Sequence, residues 1–162
     1  MIGLMGLLLE AVGYPLAHKI KPYIFLGSFE AAQSPQFLEQ HNIKYILNCS
    51  TNLPFLEDNQ IKKARLHVND DLSIFSTRSF QNQIPEAVLF IDEAVRNRQA
   101  ILIHCRCGMQ RSASVLAAYL IWREGLDVDQ AITTISKRRK IVCQPFCNFR
   151  IPLENWYQHI QT

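Results

Sequence analysis

The stretch AILIHCRCGMQRSASV, residues 100–115, joins a short apolar run to a segment with the composition of a helix. The apolar run predicts a buried strand of a parallel sheet, and the residues after Arg111 predict a helix. In open sheets covered by helices, binding sites lie beyond the carboxyl ends of the strands. We therefore expect a functional site in the segment between these two elements.

The loop from Cys105 to Arg111 has the length and residue types of an anion cradle. Five intervening residues can curl so that their backbone N–H groups converge at a helix N-terminus, where a tetrahedral dianion binds. Gly108 provides the positive φ that a tight loop needs. The planar guanidinium of Arg111 can hold two phosphate oxygens at once. The predicted phosphate-binding residues are Arg106, Cys107, Gly108, Met109, Gln110 and Arg111.

Cys105 begins this loop. A helix N-terminus and a nearby cation lower the pKa of a thiol, so we expect a thiolate at neutral pH. A thiolate beneath a bound phosphate is a nucleophile for phosphorus. Ser112 can donate a hydrogen bond to that thiolate and help its later departure. His104 lies on the strand, and we expect it to brace the loop by hydrogen bonding and not to act as a base.

The whole chain has an ordinary composition for one domain, with 162 residues, 48% of them hydrophobic. Its 17 basic and 14 acidic residues give a net charge of +3, too mild to predict a nucleic-acid partner. Five cysteines without a secretory leader predict a reducing compartment, cytoplasmic or also nuclear. The uncharged run from Met1 to Leu9 is too short to span a bilayer, so no transmembrane segment is expected.

Strand and helix patterns alternate along the rest of the chain. Strands are predicted at 23–28, 43–50, 64–68 and 100–105, and a polar loop at 69–77. Helices are predicted at 34–40, 80–98, 112–125, 130–140 and 152–160, the fourth capped by Asp127 or Asp129. Pro85 is expected to start the second of these helices or to kink it. The fold class is α/β, with a central, mostly parallel sheet of about four to five strands flanked by helices. Residues 1–20 are predicted to be an apolar helical segment, and residues 21–162 a catalytic domain.

The motif HCRCGMQRS, residues 104–112, resembles the His-Cys-x5-Arg-Ser signature of cysteine-based protein tyrosine phosphatases. Three further stretches resemble the small dual-specificity subfamily: YIFLGSFEAAQ, IKYILNCS and AAYLIWREGLDVDQAITTISKRR. The resemblance implies a protein tyrosine phosphatase-like fold. It implies hydrolysis of phosphotyrosine, phosphoserine and phosphothreonine in proteins through a phosphocysteine on Cys105, without a metal or other cofactor.

The same resemblance implies further roles. The general acid is an aspartate of the loop LHVNDDLS, which aligns best as Asp70, with Asp71 as the alternative. Cys49 is in the place of a thiol that forms a protective disulfide with the nucleophile in some relatives, and the alternative is an inert cysteine of the core. Cys107 is a second candidate for that partner.

Other interpretations stay open. Cys105, Cys107, Cys143 and Cys147 have the chemistry of zinc ligands, although their spacing is unusual for a zinc site. The substrate is alternatively a phosphoinositide or an RNA 5′-triphosphate, or the chain is a phosphoprotein-binding module with little catalysis. The run from Lys137 to Lys140 is expected to be a solvated helix end, with a position near the substrate groove as the alternative. The apolar face of Ile2, Met5, Leu8, Leu9 and Val12 either packs on its own domain, pairs with a second copy or contacts a membrane surface.

Overall fold

A computed structural model describes residues 4–162 of the chain. Its helices are α1 (Leu4–Ala11), α2 (Phe29–Ala32), α3 (Pro35–Gln40), α4 (Ile74–Arg96), α5 (Arg111–Glu124), α6 (Val128–Ser136) and α7 (Arg150–Gln161). Its strands are β1 (Ala17–Lys21), β2 (Ile24–Gly27), β3 (Ile43–Asn48), β4 (Lys62–Arg65) and β5 (Ala100–His104).

The five strands form one sheet in the order β1-β2-β5-β3-β4. β1 runs antiparallel to β2, and the other neighbours are parallel. His104, at the carboxyl end of β5, pairs with Gly27 on one side and Asn48 on the other. The predicted α/β class with a mostly parallel sheet is confirmed, and the end of β5 lies at the centre of the sheet edge where a site is expected.

Side chains alternate between the two faces of the sheet, as strand geometry requires. On β5, Ile101 and Ile103 point into the large core beneath α4, α5, α6 and α7. Leu102 points into the smaller core, where it packs with residues of α2 and α3. Both faces are covered, which is why the central strands read as continuous apolar runs in the sequence.

Helix α4 begins earlier than the sequence pattern predicts. Residues 74–77 were expected in a polar loop, but they form the first turn, and the Ser73 hydroxyl caps it by accepting from the Ser76 N–H at 3.1 Å. Ile74 and Phe75 are exposed and do not belong to the buried face of the helix. Their positions therefore do not continue the apolar spacing by which the rest of the helix is predicted. Pro85 lies inside the helix, so the prediction that it starts the helix is wrong.

Two strands differ from the predicted set. β4 covers Lys62–Arg65, so the strand begins and ends earlier in the chain than the predicted strand at 64–68. Leu66 and Val68 are buried but lie beyond its end. β1 was not predicted, since its sequence AHKIK has one buried residue. It pairs Ala17 with Gly27, so the sheet begins within the segment assigned to 1–20, and the boundary after residue 20 stays a prediction.

Helix α1 lies within the segment predicted to be helical, and none of its residues is buried. Met5 and Leu8 of the predicted apolar face are about half exposed, with relative exposures of 48% and 52%. Ile2, also assigned to that face, lies outside the described residues. Among residues 4–162, no helix has the length and apolar character needed to cross a membrane.

Candidate active site

The loop from Cys105 to Arg111 connects the end of β5 to the start of α5. Gly108 has a φ of +66°, and a Cβ at this position would lie 2.6 Å from the carbonyl oxygen of Gly27. That distance is shorter than a side chain tolerates, so the loop can press against the end of β2 only with glycine here. The positive φ predicted for Gly108 is confirmed.

Cys105 is buried at the base of the loop, with a relative exposure of 3%. Burial by itself raises the pKa of its thiol, but Arg111 and hydrogen bonds from Ser112 and the Met109 backbone outweigh it, and the pKa is lowered. The Ser112 hydroxyl donates to the sulfur at 3.1 Å, as the sequence predicts. The groups around this cysteine therefore stabilise a thiolate.

Arg111 directs its guanidinium to the same region. Its Nη1 donates a long hydrogen bond of 3.4 Å to the carbonyl of Val68. Its Nε is buried and has no hydrogen-bond partner among residues 4–162. A buried N–H without a partner is costly, so this donor is prepared for an anion that the loop would bind.

His104 braces the loop in the way the sequence suggests. The side chain is buried, and Nδ1 lies 3.2 Å from the carbonyl oxygen of Cys105. Burial lowers the pKa of His104 to about 4, so the ring is neutral at pH 7 and can donate to that carbonyl.

The other loop residues support the cradle from outside. The Arg106 guanidinium stacks over the ring of Phe29 at 5.2 Å. Burial raises the pKa of the Cys107 thiol to about 11, so Cys107 is a neutral thiol at pH 7 and a poor nucleophile. The carbonyl of Met109 accepts a hydrogen bond from the N–H of Cys143 at 2.9 Å.

Gln110 ties the phosphate-binding loop to the segment that precedes α7. Its Nε2 donates to the carbonyl of Phe146 at 2.9 Å and, more weakly, to that of Gln144 at 3.4 Å. Its Oε1 accepts from the N–H of Asn148 at 3.0 Å. The side-chain amide of Gln110 therefore connects the phosphate-binding loop to the segment before α7.

The two candidate acids have different surroundings. Asp71 Oδ1 accepts from the N–H of Ser73 at 3.0 Å. Hydrogen bonds from Ser76 and Ser73 lower the pKa of Asp71 to about 2, so it stays ionised and serves the N-terminus of α4. Asp70 instead accepts from the side-chain amide of Asn148 at 2.7 Å. The geometry favours Asp70 over Asp71 as the acid candidate.

Cys49 lies at the carboxyl end of β3, where its N–H donates to the carbonyl of His104 at 2.8 Å. Burial and the nearby Cys105 raise the pKa of the Cys49 thiol well above its usual value, and Arg111 opposes them. Cys49 is thus a protonated thiol near the candidate nucleophile, and a disulfide between Cys49 and Cys105 stays a prediction.

The four cysteines considered as zinc ligands do not converge on one point. Cys143 and Cys147 contact each other through their side chains, whereas Cys105 faces Ser112. Hydrogen bonding from Cys143 lowers the pKa of Cys147 to about 7. In the part of the chain that the structure describes, no group of three or more histidine, cysteine or acidic side chains has the arrangement of a metal site.

Arg139 is the residue of this region that the sequence argument misplaced. It was expected in a solvated basic run, but its relative exposure is 1%. Its Nε donates to the carbonyl of Gly108 at 3.0 Å, and Nη2 donates to that of Cys107 at 2.8 Å. Its Nη1 contacts the carbonyl of Pro15 at 3.0 Å and His18 Nδ1 at 2.9 Å. Arg139 therefore clamps the outside of the phosphate-binding loop to the chain before β1.

One signal in the sequence identifies this clamp. Ala131 and Ile135 lie on the buried face of α6, and Arg139 follows Ile135 by four residues. Residues four apart share one face of a helical turn, so Arg139 continues the buried face, whereas Arg138 and Lys140 do not. Within the basic run, the helical period separates the buried arginine from its exposed neighbours.

The fold and this arrangement define a class of protein. A thiolate-stabilised cysteine and an arginine, on a loop between a central strand and a helix, are the phosphate site of cysteine-based protein tyrosine phosphatases. The family model for the dual specificity phosphatase catalytic domain matches residues 24–159. The chain therefore belongs to the dual specificity phosphatase family.

Individual relatives agree with that assignment. Dual specificity protein phosphatase 6 of Homo sapiens is 34% identical over 133 residues, which are 81% of this chain and 34% of that protein. The crystal structure of human DUSP28 superposes with a TM-score of 0.81 at 25% identity, covering 91% of this chain and 97% of that one. The structure of PTPMT1 in complex with PI(5)P has a TM-score of 0.76 at 20% identity, covering 91% and 97%, and shows the fold alone. The chain spans about a third of the length of the curated relatives it matches.

Proposed function

We propose that this chain hydrolyses phosphomonoesters of tyrosine, serine and threonine in proteins through a phosphocysteine intermediate on Cys105. The observation that carries the proposal is the charge state of the site. The Cys105 thiol has a lowered pKa and accepts from Ser112, and the unpartnered Nε of Arg111 belongs to the same loop. A nucleophile and its phosphate donors are thus assembled at one helix N-terminus.

The first step transfers the phosphoryl group to the enzyme. The Cys105 sulfur attacks phosphorus, a P–S bond forms, and the P–O bond to the substrate oxygen breaks. Asp70 gives its proton to that departing oxygen, so that an alcohol or phenol leaves. Arg111 and the backbone N–H groups of the loop stabilise the charge on the phosphoryl oxygens without a metal ion.

The second step regenerates the enzyme. A water attacks the phosphocysteine, the Asp70 carboxylate takes its proton, and inorganic phosphate forms as the P–S bond breaks. The departing thiolate accepts the hydrogen bond of Ser112, which lowers the cost of releasing it. The two steps together consume one water and one phosphomonoester.

The variant Cys105→Ser tests this proposal. We expect no turnover of an aryl phosphate, because the serine hydroxyl is not ionised at neutral pH. Inorganic phosphate should still raise the melting temperature of the variant, because Arg111 and the loop N–H groups remain. Measurable turnover near the wild-type rate would overturn the assignment of the nucleophile.

The substrate class needs a separate comparison. Phosphopeptides, a phosphoinositide and a 5′-triphosphorylated RNA should be assayed side by side, with Cys105→Ser as the blank for each. We expect the highest kcat/KM for phosphopeptides, since Arg106 is the one loop cation besides Arg111. A clear preference for the phosphoinositide or the RNA would show that phosphoproteins are not the main substrate class. Binding of phosphate without turnover of any of the three substrates would favour a phosphoprotein-binding module.

A further inference from the structure

We propose that Asn148 is a positioning residue for the general acid, because its side-chain amide holds Asp70 beside the phosphate-binding loop. The inference rests on the proposed function, in which Asp70 protonates the leaving group. The contact joins two segments that are 78 residues apart in the sequence.

The hydrogen bond itself has the geometry of a strong contact. Asn148 Nδ2 donates to Asp70 Oδ1 at 2.7 Å, a short distance for an amide donor and a carboxylate. It uses one carboxyl oxygen and leaves Oδ2 to carry the proton that goes to the substrate. Asp70 is exposed, so without this contact its side chain would be free to leave the rotamer that serves catalysis.

Asn148 is itself held by the phosphate-binding loop. Its backbone N–H donates to Gln110 Oε1 at 3.0 Å, and Gln110 also donates to the carbonyl of Phe146 at 2.9 Å. Gln110 is buried and immediately precedes Arg111. The acid is therefore positioned relative to the phosphate donors by two consecutive hydrogen bonds, through residues that are not its neighbours in sequence.

The same hydrogen bond favours the transition state. Negative charge develops on Asp70 as its proton moves to the leaving oxygen, and a donor fixed on Oδ1 stabilises that charge. In the first step, the transfer of the phosphoryl group to Cys105, the effect should appear only where the leaving group needs a proton. Binding of the phosphate depends on Arg111 and the loop N–H groups, so KM should change little.

The test compares two aryl phosphates, one whose leaving phenol is acidic and one whose phenol is weakly acidic. For Asn148→Ala we expect kcat/KM, which reports the steps up to phosphoryl transfer to Cys105, to fall by roughly 10- to 100-fold on the second substrate and to stay within about twofold of wild type on the first. Alanine keeps the backbone N–H that binds Gln110, so the loop anchor remains. Asn148→Asp has the same shape without the amide donor, and it should lose at least as much.

Asn155→Ala is the matched control. Asn155 Nδ2 donates to Gln81 Oε1 at 2.9 Å on the exposed surface between α7 and α4. Removing this similar side-chain contact should leave both substrates unaffected. An equal loss in Asn155→Ala and Asn148→Ala would show that the effect is general loosening of the fold, and the proposal would fail.

The variant Asp70→Asn separates this inference from the proposed function. If Asp70→Asn lowers kcat/KM only for the poor leaving group and Asn148→Ala then adds less than about twofold to that loss, the two residues act in one step and the inference stands. If Asp70→Asn is selective and Asn148→Ala alone has no effect, only the positioning role is wrong. If Asp70→Asn affects neither substrate, the acid assignment fails, and the positioning role fails with it.

Discussion

The charge of each titratable side chain decides what a single residue can do in this site. Arg111 and Ser112 lower the pKa of Cys105 against the effect of burial. Burial raises the pKa of Cys107 to about 11, because Arg106 and Arg111 oppose it only in part, and burial lowers the pKa of His104 to about 4. One thiolate is therefore stabilised next to a neutral thiol and a neutral imidazole, and this difference supports the proposal that Cys105 is the nucleophile.

The choice between the two aspartates gives the first prediction at this scale. Asp70→Asn should slow hydrolysis of a substrate with a poor leaving group by roughly 10²–10⁴-fold, the usual contribution of general acid catalysis. The loss of rate at higher pH should flatten, because the group that must stay protonated is gone, while the acidic limb set by the thiolate should persist. Rates on both aryl phosphates measured across pH provide the check.

Asp71→Asn is the matched comparison for that experiment. Asp71 is engaged at the start of α4, so its variant should keep the leaving-group dependence of the wild type. If Asp71→Asn shows the selective loss and Asp70→Asn does not, the alignment of the loop LHVNDDLS is wrong by one residue and Asp71 is the general acid.

The second prediction concerns Cys49. Hydrogen peroxide should oxidise the Cys105 thiolate to a sulfenic acid, releasing hydroxide. The Cys49 thiol then attacks that sulfur, so that a disulfide forms and water leaves. We expect the Cys49–Cys105 disulfide by mass spectrometry of the peroxide-treated protein, with activity recovered by a dithiol reductant. Cys49→Ser should lose this recovery, since Cys105 continues to sulfinic acid. A disulfide to Cys107 instead of Cys49 would contradict the assignment.

At the scale of elements, two helix N-termini shape the site. α5 begins at Arg111 and directs its first N–H groups to the phosphate-binding loop, while α4 begins at Ile74 just after the acid loop. Ser73 and Asp71 hold the second of these turns in place. The loop that contains Asp70 and Asp71 thus ends where α4 begins. Asp71 is bound to the first turn of the helix, whereas Asp70 precedes it and accepts a hydrogen bond from Asn148 instead.

Stability against acid tests the role of Asp71 in this element. Its pKa of about 2 lies below the value of about 4 in an unfolded chain. Since the folded state favours the ionised form, the contribution to stability is complete above pH 4 and disappears as the pH falls towards 2. We expect Asp71→Asn to melt below the wild type at pH 6, with the difference shrinking by pH 3. A gap in melting temperature that stays constant over this range would show that Asp71 does not act through its charge.

For the whole molecule, Arg139 connects three parts of the chain. It binds the carbonyls of Gly108 and Cys107 in the phosphate-binding loop, and it contacts Pro15 and His18 before and within β1. The residues from Pro15 onward therefore contribute to the stability of the site. Helix α1 and the residue after it make no hydrogen bond to Arg139, and together they expose a row of apolar side chains: Leu4, Met5, Leu7, Leu8 and Val12.

We expect that apolar row to pair with a second copy of the chain, because an uncovered apolar helix outside a complete core needs a partner. Light scattering at micromolar concentration should give the mass of a dimer for the full chain and of a monomer after deletion of residues 1–12. This deletion leaves Pro15 and β1 intact, so turnover of an aryl phosphate should persist as the internal control. A monomeric full chain would reject the dimer.

The sequence by itself determined the parts of this protein whose signals are local. An apolar strand, a loop with five residues between Cys105 and Arg111, and a helix after it follow one another along the chain. Periodicity identifies the strand and the helix, and the residue types identify the anion cradle. The parallel sheet followed from the same alternation, since strands separated by helices pair in parallel.

Only the tertiary structure decided the contacts between distant segments. The Asn148–Asp70 hydrogen bond joins residues 78 apart, and Arg139 reaches Pro15 across 124 residues. The strand β1 is defined by its partner β2, because its own sequence alternates too weakly to predict it. Such contacts form only when the packed helices and strands bring distant side chains together. The spacing and composition of the sequence do not show which distant residues will meet.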